Sequence, residues 1–177
     1  MVSKVSSIVH PGHQHVYSTS TLEHDCAIKR RIVEYLPDIN RARLSGFAGD
    51  MVSYMWNSAL NTFSCSTSNA KFKSFCNTVF FTTEVSFYVA ILALYYVYRL
   101  KNQHGLATET PGSEYFVFTV GLILANKYLD DSTFTNQSWA SVSRIPLKEI
   151  NRIEKEFLKG LNFRLHVTEK EFLLWLQ

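Results

Sequence analysis

Few side chains in this sequence are arranged for chemistry. His10, His13 and His15, with His24 and Cys26 beyond them, are the densest run of metal-ligating types. Their spacing fits no closed zinc pattern, and a stretch broken by Pro11-Gly12 is a poor scaffold for a metal. A solvated tail accounts for them better. Glu154 and Glu156 would have to face each other to act as an acid–base pair, and i, i+2 positions on a helix do not. There is no glycine-rich phosphate loop, no nucleophile elbow and no His-Glu-x-x-His. These absences argue against an enzyme and imply no cofactor and no metal. Lys127 and Glu154 remain as charges near helix ends, and taken alone they read as solvated.

Composition narrows the class further. Apolar residues make up 46% of the 177, enough for a substantial core, and charged residues only 19%, so the chain is not disordered in composition. A net charge of +3 is mild for a nucleic-acid binder. Cys26, Cys65 and Cys76 are odd in number and contain no Cys-x-x-Cys pair. That favours neither a disulfide framework nor a zinc site, and points to a reducing, intracellular setting. The longest apolar run, Phe87 to Tyr98, is twelve residues, whereas a spanning helix needs about 20. The N-terminus carries no apolar signal core.

Helices must position whatever this chain does. Residues 1–40 have tail composition, with many Ser and Thr, Pro11-Gly12, and one weak basic segment, Ala27 to Leu36. The three basic residues Lys29-Arg30-Arg31 are too short a run to carry a signal. Asp50 has the type of an N-cap, and Met51, Tyr54, Met55, Ala59 and Phe63 fall roughly on one stripe, predicting a helix over 50–63 that packs from outside. Further helices are predicted over 71–81, 87–101 with Ser86 as cap, and 113–129. The 113–129 helix is apolar almost all round, which is the pattern of a helix buried on every side. In it, Gly121 and Ala125 lie one turn apart and let a neighbouring backbone approach. A short helix holds Trp139 and Val142. The next starts at Pro146, whose missing N–H costs nothing in a first turn. A final helix opens on a Thr168/Glu171 capping box with a Val167–Phe172 staple. The fold class is therefore all-α: one buried helix, four around it, and one more at each end.

Several segments match a known family at the right spacing. "Leu-Ile-Leu-Ala-Asn-Lys-Tyr-Leu-Asp-Asp" (122–131) resembles the end of the third cyclin-box helix. "Ser-Trp-Ala-Ser-Val-Ser-Arg-Ile-Pro-Leu-Lys-Glu-Ile-Asn" (138–151) follows at the family's distance, and 154–167 resembles the end of the fifth helix. The segment 91–100 resembles the second. The Trp-containing fourth helix and the Ile-Pro-x-Lys-Glu-Ile segment are similar to fungal Pcl-type cyclins. The resemblance covers about residues 50–177 and implies a single cyclin box there, behind the 1–40 tail.

The resemblance implies a regulatory subunit that binds and activates a cyclin-dependent kinase and helps select its substrates, in the nucleus or cytoplasm. Catalysis would belong to the kinase, whose mobile helix must place a glutamate against the ATP-positioning lysine. Carried over residue by residue, Lys127 and Glu154 match a pair that grips kinase backbone. Tyr128, Leu158, Phe163 and Leu165 match apolar interface positions, and Asp131 an acidic position of the Pcl class, with Asp130 a weaker candidate. Tyr98 stands where many cell-cycle cyclins have an acid, and 72–81 lacks their substrate-docking patch. No second box follows within these residues, and continuation of the natural chain past Gln177 stays open. Two other readings stand beside this one. A scaffold or inhibitor would bind a kinase without activating it. A nucleic-acid module would need a continuous basic face, which the acids at 130, 131, 149, 154 and 156 interrupt.

Overall fold

In the computed structural model, the structure describes residues 41–57, 67–104 and 112–176. The tail, its histidines and the segment Ala27 to Leu36 lie outside the described residues. The described residues form seven helices and no strand: α1 (Arg41–Asn57), α2 (Thr67–Thr83), α3 (Phe87–His104), α4 (Ser113–Leu129), α5 (Asn136–Ser143), α6 (Leu147–Gly160) and α7 (Glu169–Leu176). The all-α reading holds.

The centre is α4. Every residue from Val117 to Asn126 is buried, so this helix has no solvent face along those turns. It packs most closely on α3. A Cβ built on Gly121 would sit 3.3 Å from the Ala93 carbonyl oxygen and from Val97 Cγ2. Glycine thus permits the close crossing that the sequence predicts. Aromatic edges fill the other side, with Phe72 and Phe80 of α2 at 5.8 and 5.7 Å from Phe118. The Phe72–Phe118 pair is edge-to-face and the Phe80–Phe118 pair tilted, and aromatic pairs of this kind contribute beyond their buried area.

The first helix differs from expectation. It begins at Arg41, and Asp50 is not its cap but lies mid-helix, paired with Lys73 of α2 at 2.6 Å. The core stripe is Leu44, Ala48, Val52, Met55 and Trp56, while Tyr54 is 74% exposed. Ala59 and Phe63 lie outside the described residues. Gly46 and Gly49 obscured the helix in the sequence because glycine usually weakens one. At Gly49 the reason is contact: a Cβ there would lie 3.0 Å from Lys73 Cγ. Nor does α1 sit outside the domain. It packs on α2, α3 and α4, and Trp56 Nε1 donates to Ser113 Oγ at 2.7 Å.

The remaining elements follow their local signals. Ser86 Oγ accepts from Val89 N at 3.3 Å, capping α3. Thr135 caps α5 through Ser138 N. Trp139 is fully buried and anchors that short helix, its ring edge-on to Phe134 at 6.0 Å. Pro146 sits immediately before α6, and its carbonyl accepts from Ile150 N at 3.1 Å. At α7 the capping box is complete: Thr168 N donates to Glu171 Oε2 at 2.9 Å and Glu171 N to Thr168 Oγ1 at 3.2 Å. Val167 and Phe172 are both buried.

Two outcomes test this packing. Gly46→Ala and Gly160→Ala make the same chemical change in opposite surroundings. Nothing lies within 4 Å of a Cβ at Gly46, whereas one at Gly160 would meet Leu100 Cδ1 at 2.3 Å. Urea unfolding should show the first stabilised by about 0.5–1 kcal/mol and the second destabilised by about 1–3 kcal/mol. Thr168→Ala should cost about 1 kcal/mol at neutral pH. The Thr168 side chain, and then its backbone N–H, hold the Glu171 carboxyl below its usual range. A depressed folded value stabilises above the unfolded value and is lost as pH falls through the folded one. The Thr168→Ala deficit should therefore shrink below the ordinary glutamate range, and Glu171→Gln should abolish that dependence.

Candidate functional site

The site forms where α4 leaves the core. Asn126, its last buried residue, is 2% exposed. Its amide donates to Asp130 Oδ2 at 2.7 Å and its carbonyl oxygen accepts from Phe134 N at 3.3 Å. One buried side chain thus folds the turn between α4 and α5. Asp130 is spent on that turn, capping the helix. Asp131 beside it is exposed.

Lys127 is the first α4 residue to reach water after the buried run. A cation in the last turn also suits the helix dipole. Its ammonium lies 2.6 Å from Glu154 Oε1 of α6 and 2.9 Å from Asn136 Oδ1 of α5. Asn136 Nδ2 in turn donates to Glu154 Oε2 at 2.6 Å and to Asn151 Oδ1 at 2.8 Å. Three helices meet in one network, with both carboxylate oxygens engaged. The Glu154 side chain is only 14% exposed against 37% for Lys127. The acid is the anchored member and the lysine the more solvent-facing one. Such an arrangement stabilises position more than it stabilises the fold.

The apolar candidates lie close by in the chain. Leu158 follows Glu154 by one turn and is half-buried. After α6 the chain closes a Schellman turn: Phe163 N donates to Leu158 O at 2.8 Å and Asn162 N to Lys159 O at 2.9 Å. Asn162 takes the left-handed conformation that asparagine tolerates, with φ 52°, and Phe163 follows it at φ 56°. An aromatic residue held there is uncommon, and this one is 67% exposed. The segment is tied back from α3. Tyr96 Oη donates to Leu165 O and Arg99 Nη1 to Arg164 O, each at 2.8 Å. Tyr128 Oη lies 3.2 Å from His166 Nδ1. Leu165 and Tyr128 are half-buried.

The structure therefore brings Lys127 and Glu154 together, and backbone bonds and side-chain tethers link Tyr128, Leu158, Phe163 and Leu165. Among the described residues Asp131 makes no hydrogen bond or ion pair with that network. Sequence reasoning missed Asn136, Asn151, Tyr96, Arg99 and Asn126. Only Asn126 carried a signal, as an amide inside an apolar helix. Among the described residues no group of histidine, cysteine and acidic side chains could hold a metal ion. Cys76 is fully buried, which pushes its thiol well above the ordinary range and leaves it inert. No described helix is long and apolar enough to cross a membrane.

Comparison with known proteins identifies the family. A model of the cyclin family matches residues 42–165. The chain is 28% identical over 137 residues to PHO85 cyclin-5 of Saccharomyces cerevisiae, covering 75% of this chain and 58% of that one. It is 28% identical over 100 residues to the G1/S-specific cyclin pas1 of Schizosaccharomyces pombe, covering 52% of this chain and 23% of that one. It is 35% identical over 72 residues to PHO85 cyclin CLG1 of S. cerevisiae, covering 40% of this chain and 16% of that one. The chain thus spans less than two thirds of the length of each. No solved structure matches. With a family match over most of its length and an all-helical fold among the described residues, the chain belongs to the cyclin family and is similar to its Pcl-type yeast members.

Proposed function

We propose that this chain is a regulatory subunit that binds a cyclin-dependent kinase of the Pcl-partner class, activates it and contributes to the choice of its substrates. The observation that carries the reading is the Lys127–Glu154 pair, locked by Asn136 and flanked by the Phe163 turn. An anchored charge pair can offer a donor and an acceptor to kinase backbone. An exposed aromatic on a rigid turn can fill an apolar pocket without losing much freedom. Tyr128, Leu158 and Leu165 are half-buried and would supply apolar contact beside them. Asp131 is exposed on the turn after α4, where a carboxylate steers an approaching cation more than it holds one.

Activation follows if this surface fits one kinase state better than another. A rigid partner that binds only the state with the mobile helix inward shifts the kinase by its differential affinity. The cyclin needs no reacting group for that. The relatives' names support the kinase class, since two of them are PHO85 cyclins. A nuclear or cytoplasmic location goes with the same reading.

The test is phosphate transfer by a Pcl-class partner kinase to a Ser/Thr-Pro peptide, with and without this chain. Strong stimulation is expected. Lys127→Glu or Glu154→Lys should each weaken kinase binding by ~10–100-fold, and the double swap should recover part of it. Tight binding without stimulation would make the chain a scaffold or inhibitor instead. Unchanged affinity in both single variants would remove the pair from the interface. Separately, Phe163→Ala should leave the melting temperature nearly unchanged, because the ring is 67% exposed. It should nonetheless cost about 2 kcal/mol of kinase affinity, roughly 30-fold. A loss of stability without loss of affinity would reverse that assignment.

A further inference from the structure

One face of α6 is used neither by the core nor by the surface just described. Ile150 and Phe157 are buried, Ile153 packs against the core, and Glu154 and Leu158 form the neighbouring stripe. Lys148, Lys155 and Lys159 stand at i, i+7 and i+11, so they share a third stripe, and all three are exposed.

The carboxylates of the helix are all taken. Glu154 pairs with Lys127, while Glu149 and Glu156 both pair with Arg152, at 2.8 Å each. Among the described residues Lys148, Lys155 and Lys159 enter no ion pair. An ordinary solvated helix face would place Lys and Glu at i, i+4 to one another along this line. Helix electrostatics explains Lys159 in the last turn but opposes Lys148, which stands in the first turn where anions are favoured.

We propose that Lys148, Lys155 and Lys159 form a docking strip for an acidic segment of a protein partner. The line spans about 16 Å at 1.5 Å per residue, and the ammonium groups are strung out rather than convergent. An extended peptide covers that length in about five residues, so it can set successive carboxylates against the three cations. A single phosphate needs donors that converge on one point, which this line lacks. A duplex is too broad, because Glu149 and Glu156 border the strip on one side and Glu154 stands beyond it on the other. The strip adjoins the Glu154–Leu158 stripe on the same helix, so a segment docked there lies beside whatever that stripe holds. The binding itself does not depend on a kinase.

The test is fluorescence anisotropy of the full chain with a labelled peptide of six consecutive glutamates between Gly-Ser flanks. Binding should be saturable and should weaken as salt rises. The triple variant Lys148→Gln, Lys155→Gln, Lys159→Gln should bind about tenfold more weakly with unchanged circular dichroism. A control triple variant of equal charge, Lys4→Gln, Lys71→Gln, Lys170→Gln, should bind like the parent. Equal losses in both variants would show a general charge effect and overturn the strip, as would absence of binding. Tighter binding of a singly phosphorylated peptide without glutamates, or of a DNA duplex, would overturn the acidic-segment assignment.

Discussion

The burial of α4 on all sides is the constraint on which the rest of the molecule depends. A helix with no solvent face from Val117 to Asn126 must be covered by neighbours along its whole length. Its identity therefore dictates the arrangement of α1, α2, α3 and α6 around it. It also decides where polar groups can stand. Charge is excluded along the buried turns and becomes affordable only where the helix emerges. Lys127 occupies the first such position, and the network with Asn136 and Glu154 is assembled at that exit. The site sits at one end of the bundle because the bundle's axis leaves it no other place.

Packing and chemistry are linked again through α3. Tyr96 is wholly buried, yet its hydroxyl reaches the carbonyl of Leu165, and Arg99 one turn fraction further holds the carbonyl of Arg164. These bonds satisfy carbonyls in the irregular chain after α6 that no helix could satisfy. They also fix the turn carrying Phe163. An exposed aromatic on a free loop would have to be ordered on binding. Here the ordering is done during folding, by a Schellman turn on one side and two long side chains on the other.

What could be read from the sequence follows from the range of the interactions involved. The bounds of α4 were legible because a stretch apolar almost all round, set between Gly112 and Asp130, admits little else. The cap of α7 was legible because its donors and acceptors lie within three residues of each other. The start of α1 was not, since Gly46 and Gly49 look like helix breakers until the approach of Lys73 to Gly49 is known. In the site, Lys127 and Glu154 could be matched through motifs. Asn136, which binds both, could not, because the first residue of a short helix between them has no pattern of its own. Tyr96 and Arg99 lie 69 and 65 residues from the carbonyls they hold, and no local rule reaches that far.

A single helix, α6, carries several of these roles at once. Around its circumference α6 presents a buried stripe, a paired acid with an apolar neighbour, and a line of cations. Those roles coexist only if the helix does not rotate about its axis. A rotation by one residue position, roughly 100°, would drive Glu149 and Glu156, or in the other sense Asn151 and Leu158, into the place of Ile150 and Phe157. Three separate features oppose it. Pro146 fixes the entry, Gly160 seats the exit against Leu100, and the Asn136 amide grips Glu154 and Asn151 from α5. The contribution of that amide is therefore angular as much as energetic. It sets the azimuth of α6, and the azimuth decides which side chains any partner meets.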